Sequence, residues 1–443
     1  MPYIPHTPEE IRSMLDAVGV AEMADLFAAI PPELAPKHFD LPKGDTEMDV
    51  RATMERLAGK NRTDMVSFLG GGFYDHYVPA ASDLLLSRGE FATAYTPYQP
   101  EASQGTLQAI FEFQTAVCRL LDMEVANAGG YDGGTVLFES LMMAVRHTRR
   151  KKAVVSEAVN PIYRIVLATY TKNLHLELVT VPHKNGQDDV AALTAAIDEA
   201  TAAVVVQNPN FFGVVQDFTG LFATAAAKGA LSIISCYPVL QTVLKTPGAM
   251  GADIACAEGQ SLGLPLSFGG PYLGIMTCRK ALVRQMPGRI AGRAKDGQGR
   301  TGYVLTLQAR EQHIRRQKAT SNICSNQALC ALRALINLCL LGNEGLSRQA
   351  AISIENANYA AYKLQAIPGV RLLSDAPFGN EFAAVFPINA KEVARRLMDG
   401  GIIPGFPLGR YYMGLENALL VCCTEKHHRD DIDRLARRLE RIL

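Results

Sequence analysis

Residues 253–277, DIACAEGQSLGLPLSFGGPYLGIMT, consist of two apolar runs joined by a connection rich in glycine and proline. The runs 253–257 and 272–277 have the length and the side chains of buried strands. The four glycines and two prolines within residues 258–271 call for special backbone conformations. The connection is therefore either an ordered link between strands or a loop at the carboxyl ends of strands, where α/β proteins bind ligands.

The alternation extends outward from this stretch over residues 66–330. Short β-branched runs alternate with amphipathic segments, and glycine-rich turns separate them. This pattern predicts an α/β layered domain with a mostly parallel sheet. The other predicted strands are 153–155, 176–181, 202–206 and 231–235, and the predicted helices are 105–121, 135–150, 189–199 and 220–227.

The two ends of the chain differ from this middle region. Residues 1–65 are predicted to form a helical arm, with a capped helix start at Thr7 and a second short helix over 21–30. From about residue 340 a long helix, 345–367, precedes alternating short strands and helices. We therefore expect an arm of residues 1–65, a large α/β domain of residues 66–335 and a small α+β domain of residues 336–443.

The composition excludes several classes of protein. Lysine plus arginine and aspartate plus glutamate number 44 each, so no net charge favours nucleic acid or a membrane surface as a partner. The nine cysteines show no metal-ligand spacing, and we expect free thiols in a reducing cytoplasm. The apolar run 328–341 is shorter than the ~20 residues of a membrane span, and it predicts a buried helix.

Three further segments carry side chains suited to binding. The glycine turn 127–135 precedes a helix, so it is either a plain connector or a place where backbone N–H groups approach an anion. Residues 300–327 are basic and contain short polar side chains that serve as caps or anion contacts. Loop aromatics beside glycine and proline are typical of binding surfaces, although packing explains them equally well. The candidate residues from these segments are His76, Tyr95, Tyr98, Thr320, Ser321 and Asn322.

Taken together, these segments resemble the P-protein family of the glycine cleavage system, in the first-subunit branch of its two-subunit bacterial form. The resemblance covers most of the chain in the expected order. It implies the aminotransferase-like fold (fold type I) of pyridoxal-phosphate-dependent transferases, with a large domain and a small C-terminal domain. The matching segments are YTPYQPE (95–101), NAGGYDGGT (127–135), NPNFFG (208–213), GADIACAEGQSLGLPLSFGGPYLG (251–274), MPGRIAGRAKD (286–296), REQHIRRQKATSNICSNQAL (310–329) and VCCTEK (421–426).

The residues that such an enzyme needs for its cofactor are missing. A lysine must form the Schiff base, and a carboxylate must keep the pyridinium nitrogen protonated. Alignment on the glycine–proline turn puts Gln260 at the lysine position, whereas counting from Asp253 puts Ser261 there. Residues 218–252 contain no aspartate or glutamate, and Cys236 and Tyr237 stand where the carboxylate belongs. We therefore expect no catalytic residue and no covalently bound cofactor on this chain.

The resemblance also implies an assembly. A second, catalytic P-protein subunit would hold pyridoxal phosphate, decarboxylate glycine and pass the aminomethyl group to the lipoyl arm of H-protein. In a heterotetramer with two copies of each subunit, this chain would build the other wall of the site. Thr320, Ser321 and Asn322 would then contact the cofactor phosphate from across the interface, and His76, Tyr95 and Tyr98 would line the site.

Two other interpretations remain open from the sequence. The chain could be a self-sufficient pyridoxal-phosphate enzyme that uses another lysine, with Lys245 and Lys228 as the nearest candidates. It could also be a non-enzymatic scaffold that keeps the fold. Borohydride reduction of the chain with added cofactor, and glycine decarboxylation with and without the second subunit, separate the three.

Overall fold

The computed structural model describes residues 6–35, 38 and 40–443, and the chain divides into two compact units, Met1–Thr63 and Asp64–Leu443. The first unit contains helix α1 (Pro8–Val18), a 3-10 helix (Met23–Phe27) and helix α2 (Glu47–Ala58). Among the described residues of this unit, Leu15 is the only one that is buried.

The start of α1 has the cap that the sequence predicts. The Thr7 hydroxyl accepts a hydrogen bond from the Glu10 N–H, and the Glu10 carboxylate accepts one from the Thr7 N–H. The helix predicted over 21–30 is wrong in extent, because the 3-10 helix covers only Met23–Phe27. Asp25 caps the start of this 3-10 helix by accepting hydrogen bonds from the Ala21 and Glu22 N–H groups at 3.1 and 2.9 Å.

The second unit is built on a seven-stranded sheet, counted over residues 64–443, all of which are described. After the two-residue strand β1 (Val66–Ser67), the sheet has the order β2-β8-β7-β6-β5-β3-β4, and its inner strands run parallel. Strand β8 runs antiparallel to β7 and β2. The sheet strands are β2 (Val125–Ala126), β3 (Lys152–Ser156), β4 (Glu177–Val181), β5 (Thr201–Asn208), β6 (Leu231–Cys236), β7 (Ile254–Glu258) and β8 (Gly274–Cys278).

Helices cover the sheet and connect its parallel strands. The central strands are buried on both faces, which explains their near-continuous apolar runs. Because the inner strands are parallel, their carboxyl ends lie along one edge, where the helix-preceding turns also lie. The helices of this region are α3 (Ala80–Leu86), α4 (Gln104–Leu121), α5 (Gly133–Thr148), α6 (Pro161–Thr171), α7 (Val190–Ala196), α8 (Thr219–Ala227) and α9 (Pro247–Met250).

A hairpin and a second sheet follow. Strands β9 (Ile290–Lys295) and β10 (Thr301–Thr306) pair antiparallel and precede the short helix α10 (Gln312–Arg315). The C-terminal sheet has the antiparallel order β11-β12-β15-β14, and β13 pairs separately with β1. These strands are β11 (Arg371–Leu372), β12 (Glu381–Val385), β13 (Ile402–Ile403), β14 (Phe406–Pro407) and β15 (Ala418–Cys422).

The C-terminal part also contains the longest helix of the described chain, α11 (Ala328–Gln365), followed by α12 (Ala390–Asp399) and α13 (Arg429–Ile442). The predicted helices 328–341 and 345–367 are the two arms of α11, joined at Gly342, whose φ of 62° lies outside the helical region. By length and composition α11 is the one helix of the described residues that could cross a membrane. It packs against α4 and α13.

The burial prediction for this helix is only partly right. Within 328–341 one face is buried, including Ala334 and Leu335, whereas Leu329 and Leu340 are 49% and 43% exposed. The apolar run therefore supplies one packed face rather than a helix buried on all sides.

Candidate functional site

The carboxyl ends of β6 and β7 meet the N-terminus of α5 around a cluster of buried side chains. We call this the cup and define it by Tyr74, Tyr237, Glu258 and Gln260. Each of these four residues is at most 7% exposed. The cup therefore lies where α/β proteins bind ligands, but its own side chains fill it.

Glu258 closes the helix side of the cup. It is the last residue of β7, and one carboxylate oxygen accepts a hydrogen bond from the Gly133 N–H, at the first residue of α5, at 2.9 Å. The other oxygen accepts from the Gln260 and Leu273 N–H groups at 2.9 and 3.1 Å. Burial raises the pKa of Glu258 to about 7, since removal from water outweighs these three N–H donors.

Gln260 closes the loop side of the cup. Its amide oxygen accepts a hydrogen bond from the Tyr74 N–H at 2.8 Å. Its amide nitrogen donates to the carbonyl oxygens of Tyr74 and Leu264 at 3.0 and 2.8 Å. The side chain thus works as a buried bridge between two loops, and Ser261 beside it is also buried.

Two tyrosines fill the space between these polar groups. The rings of Tyr74 and Tyr237 lie 4.3 Å apart at an angle of 42°. The Tyr74 hydroxyl donates to the Glu381 carboxylate at 2.7 Å, and burial raises the pKa of Glu381 to about 7. Burial likewise raises the pKa of Tyr237 well above its usual value, so its ring is a neutral phenol.

His76 lies beside the cup rather than on an open surface. One ring nitrogen hydrogen-bonds the Tyr237 hydroxyl, and the other lies 2.5 Å from a carboxylate oxygen of Glu425. Glu425 in turn accepts hydrogen bonds from the Tyr77 N–H at 2.7 Å and the Gln349 amide at 2.9 Å. These hydrogen bonds lower the pKa of Glu425 to about 2 although burial acts in the opposite direction.

The cup does not fit a covalently held pyridoxal phosphate. The amide of Gln260 cannot form an imine, and its polar atoms are already bonded to Tyr74 and Leu264. The Gly133 N–H, which a phosphate would need, donates to Glu258. Strand β6 ends at Cys236 and is followed by the buried Tyr237, so no carboxylate of this strand can meet a pyridinium nitrogen.

The two alternative lysines are held elsewhere. The Lys245 amine donates to Asp217 and Thr219 at 2.9 and 2.7 Å. The Lys228 amine donates to the Ile197 carbonyl oxygen at 2.7 Å. Neither amine hydrogen-bonds a residue of the cup.

A second feature, which we call the groove, is open. It is a cavity of about 510 Å³ between residues 91–97, α4 and residues 325–332. Its lining is mostly apolar, but Tyr95, Arg289 and Asn326 bring polar groups to it. The Tyr95 side chain, 84% exposed, hydrogen-bonds the Ser325 hydroxyl. An apolar cavity with a few converging polar groups is the usual form of a binding site.

Arg289 is the charged group of the groove. The residue is 7% exposed, and its guanidinium donates to the Cys324 carbonyl oxygen at 2.6 Å. It also donates to the Asn326 side-chain oxygen at 3.4 Å and lies 5.8 Å from the centre of the Tyr98 ring. Its Nε atom lies 3.9 Å from a carboxylate oxygen of Glu311, which forms an ion pair with it, but makes no hydrogen bond within the described residues.

The remaining predicted residues lie on the segment that leads to the groove. The Ser321 hydroxyl donates to the buried Glu139 carboxylate at 2.5 Å, and the Thr320 hydroxyl lies 3.4 Å from the Arg310 carbonyl oxygen. Asn322 is exposed. The structure therefore places His76 at the cup and Tyr95 and Tyr98 at the groove, while Thr320 and Ser321 hydrogen-bond groups of their own chain.

Sequence reasoning missed several residues of both features. Glu258 was visible as an acid that ends a fully apolar strand just before a glycine, a position where a charge needs a partner. Nothing local marks Glu381, Glu425 or Arg289, because their partners are distant in the sequence.

Comparison with known proteins identifies the family to which this chain belongs. The family model described as glycine cleavage system P-protein matches residues 1–439. A protein of Solidesulfovibrio magneticus named probable glycine dehydrogenase (decarboxylating) subunit 1 is 83% identical over 443 residues, and the match covers 100% of both chains. A protein of Nitratidesulfovibrio vulgaris with the same name is 67% identical over 443 residues, again covering 100% of both chains.

Solved structures confirm the predicted fold class. A crystal structure of glycine decarboxylase (P-protein) of the glycine cleavage system in an inhibitor-bound form matches with a TM-score of 0.94, 45% identity and 100% coverage of both chains. A sphingosine-1-phosphate lyase of Burkholderia pseudomallei matches with a TM-score of 0.69 at 15% identity, covering 94% of each chain. At that identity the lyase shows the fold alone, which is that of pyridoxal-phosphate enzymes of fold type I.

Proposed function

Because the chain belongs to the glycine cleavage system P-protein family, we propose that it is subunit 1 of a two-subunit glycine dehydrogenase (decarboxylating), an oxidoreductase. A second, catalytic subunit carries pyridoxal phosphate, and this chain alone is inactive. With that subunit it decarboxylates glycine and transfers the aminomethyl group to the lipoyl arm of H-protein.

The buried amide of Gln260 is the observation that carries this proposal. It stands two residues after β7, and its three hydrogen bonds tie it to Tyr74 and Leu264. A chain that keeps the whole fold but fills the lysine position with a satisfied amide has kept a role that does not need its own Schiff base. The pairing of Lys245 and Lys228 elsewhere speaks against a self-sufficient enzyme.

The groove gives the chain its part in the reaction. Its lining is mostly apolar, and the buried Arg289 guanidinium is held in place by Cys324, Asn326 and the Glu311 carboxylate. We propose that the groove and the loop residues Tyr95 and Tyr98 form the wall that this subunit contributes to the shared site. Asn322, being exposed, remains the best of residues 320–322 for a contact across the interface.

Reconstitution tests the proposal. This chain, the catalytic subunit and lipoylated H-protein are assayed for release of labelled carbon dioxide from glycine, alone and in combination. We expect release only with both subunits present, and borohydride reduction should label a lysine of the catalytic subunit only. A pyridoxyl-lysine on this chain, with glycine decarboxylation by this chain unaided, would establish the self-sufficient enzyme. Full activity of the catalytic subunit without this chain would establish the scaffold.

Single substitutions in the reconstituted complex test the wall. Tyr95→Ala and Asn322→Ala should lower the rate of decarboxylation or the affinity for pyridoxal phosphate, because each side chain is exposed on the surface of this subunit. Tyr362→Ala is a matched control, since Tyr362 is 71% exposed on α11 and lines neither the cup nor the groove. Rates and affinities equal to those of the unsubstituted complex would remove Tyr95 or Asn322 from the site.

We further propose a cytoplasmic heterotetramer with two copies of each subunit. The free state of all nine cysteines, each of which lies in the described part of the chain, supports a reducing compartment. Light scattering of the reconstituted complex gives the stoichiometry directly.

A further inference from the structure

The N-terminus of α5 is an anion-binding position by its geometry. The helix has 16 residues, and its first N–H groups point out of the helix with a partial positive charge. Asp132 caps it locally by accepting a hydrogen bond from the Thr135 N–H at 2.7 Å. The N–H of Gly133 remains for a second acceptor.

That second acceptor comes from a distant element. Glu258 is 125 residues away in sequence, at the end of β7, and its carboxylate accepts the Gly133 N–H. The approach is close, because a Cβ atom added to Gly133 would lie 2.4 Å from the Tyr163 hydroxyl and 3.0 Å from the Glu258 Cβ. No group larger than the carboxylate already there can enter without displacing one of these side chains.

We infer that Glu258, in its ionised form, takes the place of a cofactor phosphate at the N-terminus of α5, so that the cup is closed and folded without any ligand. The Gln260 and Leu273 N–H groups complete three donors around one carboxylate. Oriented backbone N–H groups of this kind are what phosphate sites use. The same carboxylate holds both ends of the loop 260–273, so the anion also fixes the return of the chain into β8.

The role of Glu258 can be tested on this chain without the catalytic subunit. It does not rest on glycine decarboxylation, and it predicts that the isolated full-length protein ignores phosphate until the carboxylate is removed. A purely structural role for Glu258 predicts instead a loss of stability that no anion restores.

The test is thermal unfolding of the full-length protein in a phosphate-free buffer, with inorganic phosphate then titrated in at constant ionic strength. The unsubstituted protein should show no saturable change in Tm. Glu258→Ala should unfold at a lower temperature and regain at least about 2 °C with saturating phosphate, as expected when a ligand binds only the folded state. Chloride at the same ionic strength should restore nothing.

Glu381→Ala is the matched control. Glu381 is also a buried glutamate that accepts a backbone N–H, from Gly71 at 2.9 Å, but it does not face a helix N-terminus. Its loss should lower Tm without rescue by phosphate. Equal phosphate rescue of the two variants would overturn the inference, because the effect would then belong to any cavity left by a glutamate.

Glu258→Gln keeps the test decisive if Glu258→Ala does not fold. The amide has the same shape but turns a donor toward the Gly133 N–H or toward the Gln260 and Leu273 N–H groups. We expect a lower Tm that phosphate does not restore, since the amide leaves no room. A Glu258→Gln protein as stable as the unsubstituted one would overturn the inference, as would saturable binding of phosphate to the unsubstituted protein.

Discussion

The cup and the groove differ in how far their polar side chains are enclosed by the chain itself. In the cup, the carboxylate of Glu258 and the amide of Gln260 form hydrogen bonds with backbone groups of their own chain. In the groove, the buried Arg289 guanidinium is paired with Cys324, Asn326 and Glu311, whereas the Tyr95 side chain is 84% exposed and hydrogen-bonds only Ser325 among the described residues. The cup is thus filled by its own side chains, whereas the groove is an open, mostly apolar cavity of about 510 Å³ of the kind that binds ligands.

The largest expected difference concerns aromatic side chains. Tyr74→Ala should lower the free energy of unfolding by about 3–5 kcal/mol, because it opens a cavity in the cup and leaves Glu381 without its hydroxyl donor. Tyr95→Ala, the matched change in the groove, should cost less than about 0.5 kcal/mol, as for most exposed side chains. Urea denaturation of both variants measures the difference, and similar losses would abolish the contrast between a filled and an open site.

The next effect is on the bridge made by Gln260. Gln260→Glu should destabilise the protein by about 2–4 kcal/mol, because an oxygen would face the carbonyl oxygens of Tyr74 and Leu264 where an amide donates now. The loss should grow as pH rises and the new carboxyl group ionises. Gln327→Glu, a half-buried position that lines the groove, is the control and should change stability little. A tolerated glutamate at position 260 would contradict the described hydrogen bonds.

A smaller effect is expected on the pH dependence of stability. The pKa of Glu381 is about 7 in the folded protein against an ordinary value of 4.5, so the folded state holds this proton more tightly. Stability from this group is present below about pH 4.5 and is lost as pH rises through 7. Glu381→Gln should therefore flatten the curve of unfolding free energy against pH by on the order of 1–3 kcal/mol across this window.

Denaturation at several pH values checks that prediction. Glu258 titrates in the same window for the same physical reason, so the variant should keep part of the slope. An unchanged curve for Glu381→Gln would mean that burial does not raise the pKa of Glu381 in the folded protein.

The smallest effect separates neighbours on one segment. Ser321→Ala removes the donor to the buried Glu139 carboxylate and should cost about 1 kcal/mol of unfolding free energy. Asn322→Ala should leave stability within about 0.5 kcal/mol, because the side chain is exposed. Denaturation of the two variants compares them, and the reverse order would show that the exposed residue is the structural one.

The sequence predicts the layers of this fold better than its sites. Strands such as β5 and β6 can be predicted from the sequence, because burial on both faces requires a continuous apolar run. The helices predicted over 328–341 and 345–367 are both present as the two arms of α11, and the non-helical backbone of Gly342 lies between them. Gln260 could be singled out because a missing amine is visible in the sequence itself.

The side chains that meet in the cup are brought together by contacts between residues far apart in the sequence. Whether His76 lines an open site or bonds Tyr237 and Glu425 depends on side chains 161 and 349 positions away. The same holds for Glu258, whose partner Gly133 belongs to a turn that local reasoning could assign only as a connector or an anion loop. Such pairings are set by tertiary structure, and no local pattern carries them.

Leu15, the one buried residue in the described part of the first unit, has a consequence for local stability. Burying the Leu15 side chain contributes roughly 2 kcal/mol. Ordering the backbone of a single residue already costs about 1–2 kcal/mol. Helices α1 and α2 also carry apolar side chains that the unit itself leaves exposed, among them Val18 and Met54. Within this chain we expect local unfolding, and with it cleavage by an added protease, to begin in this unit.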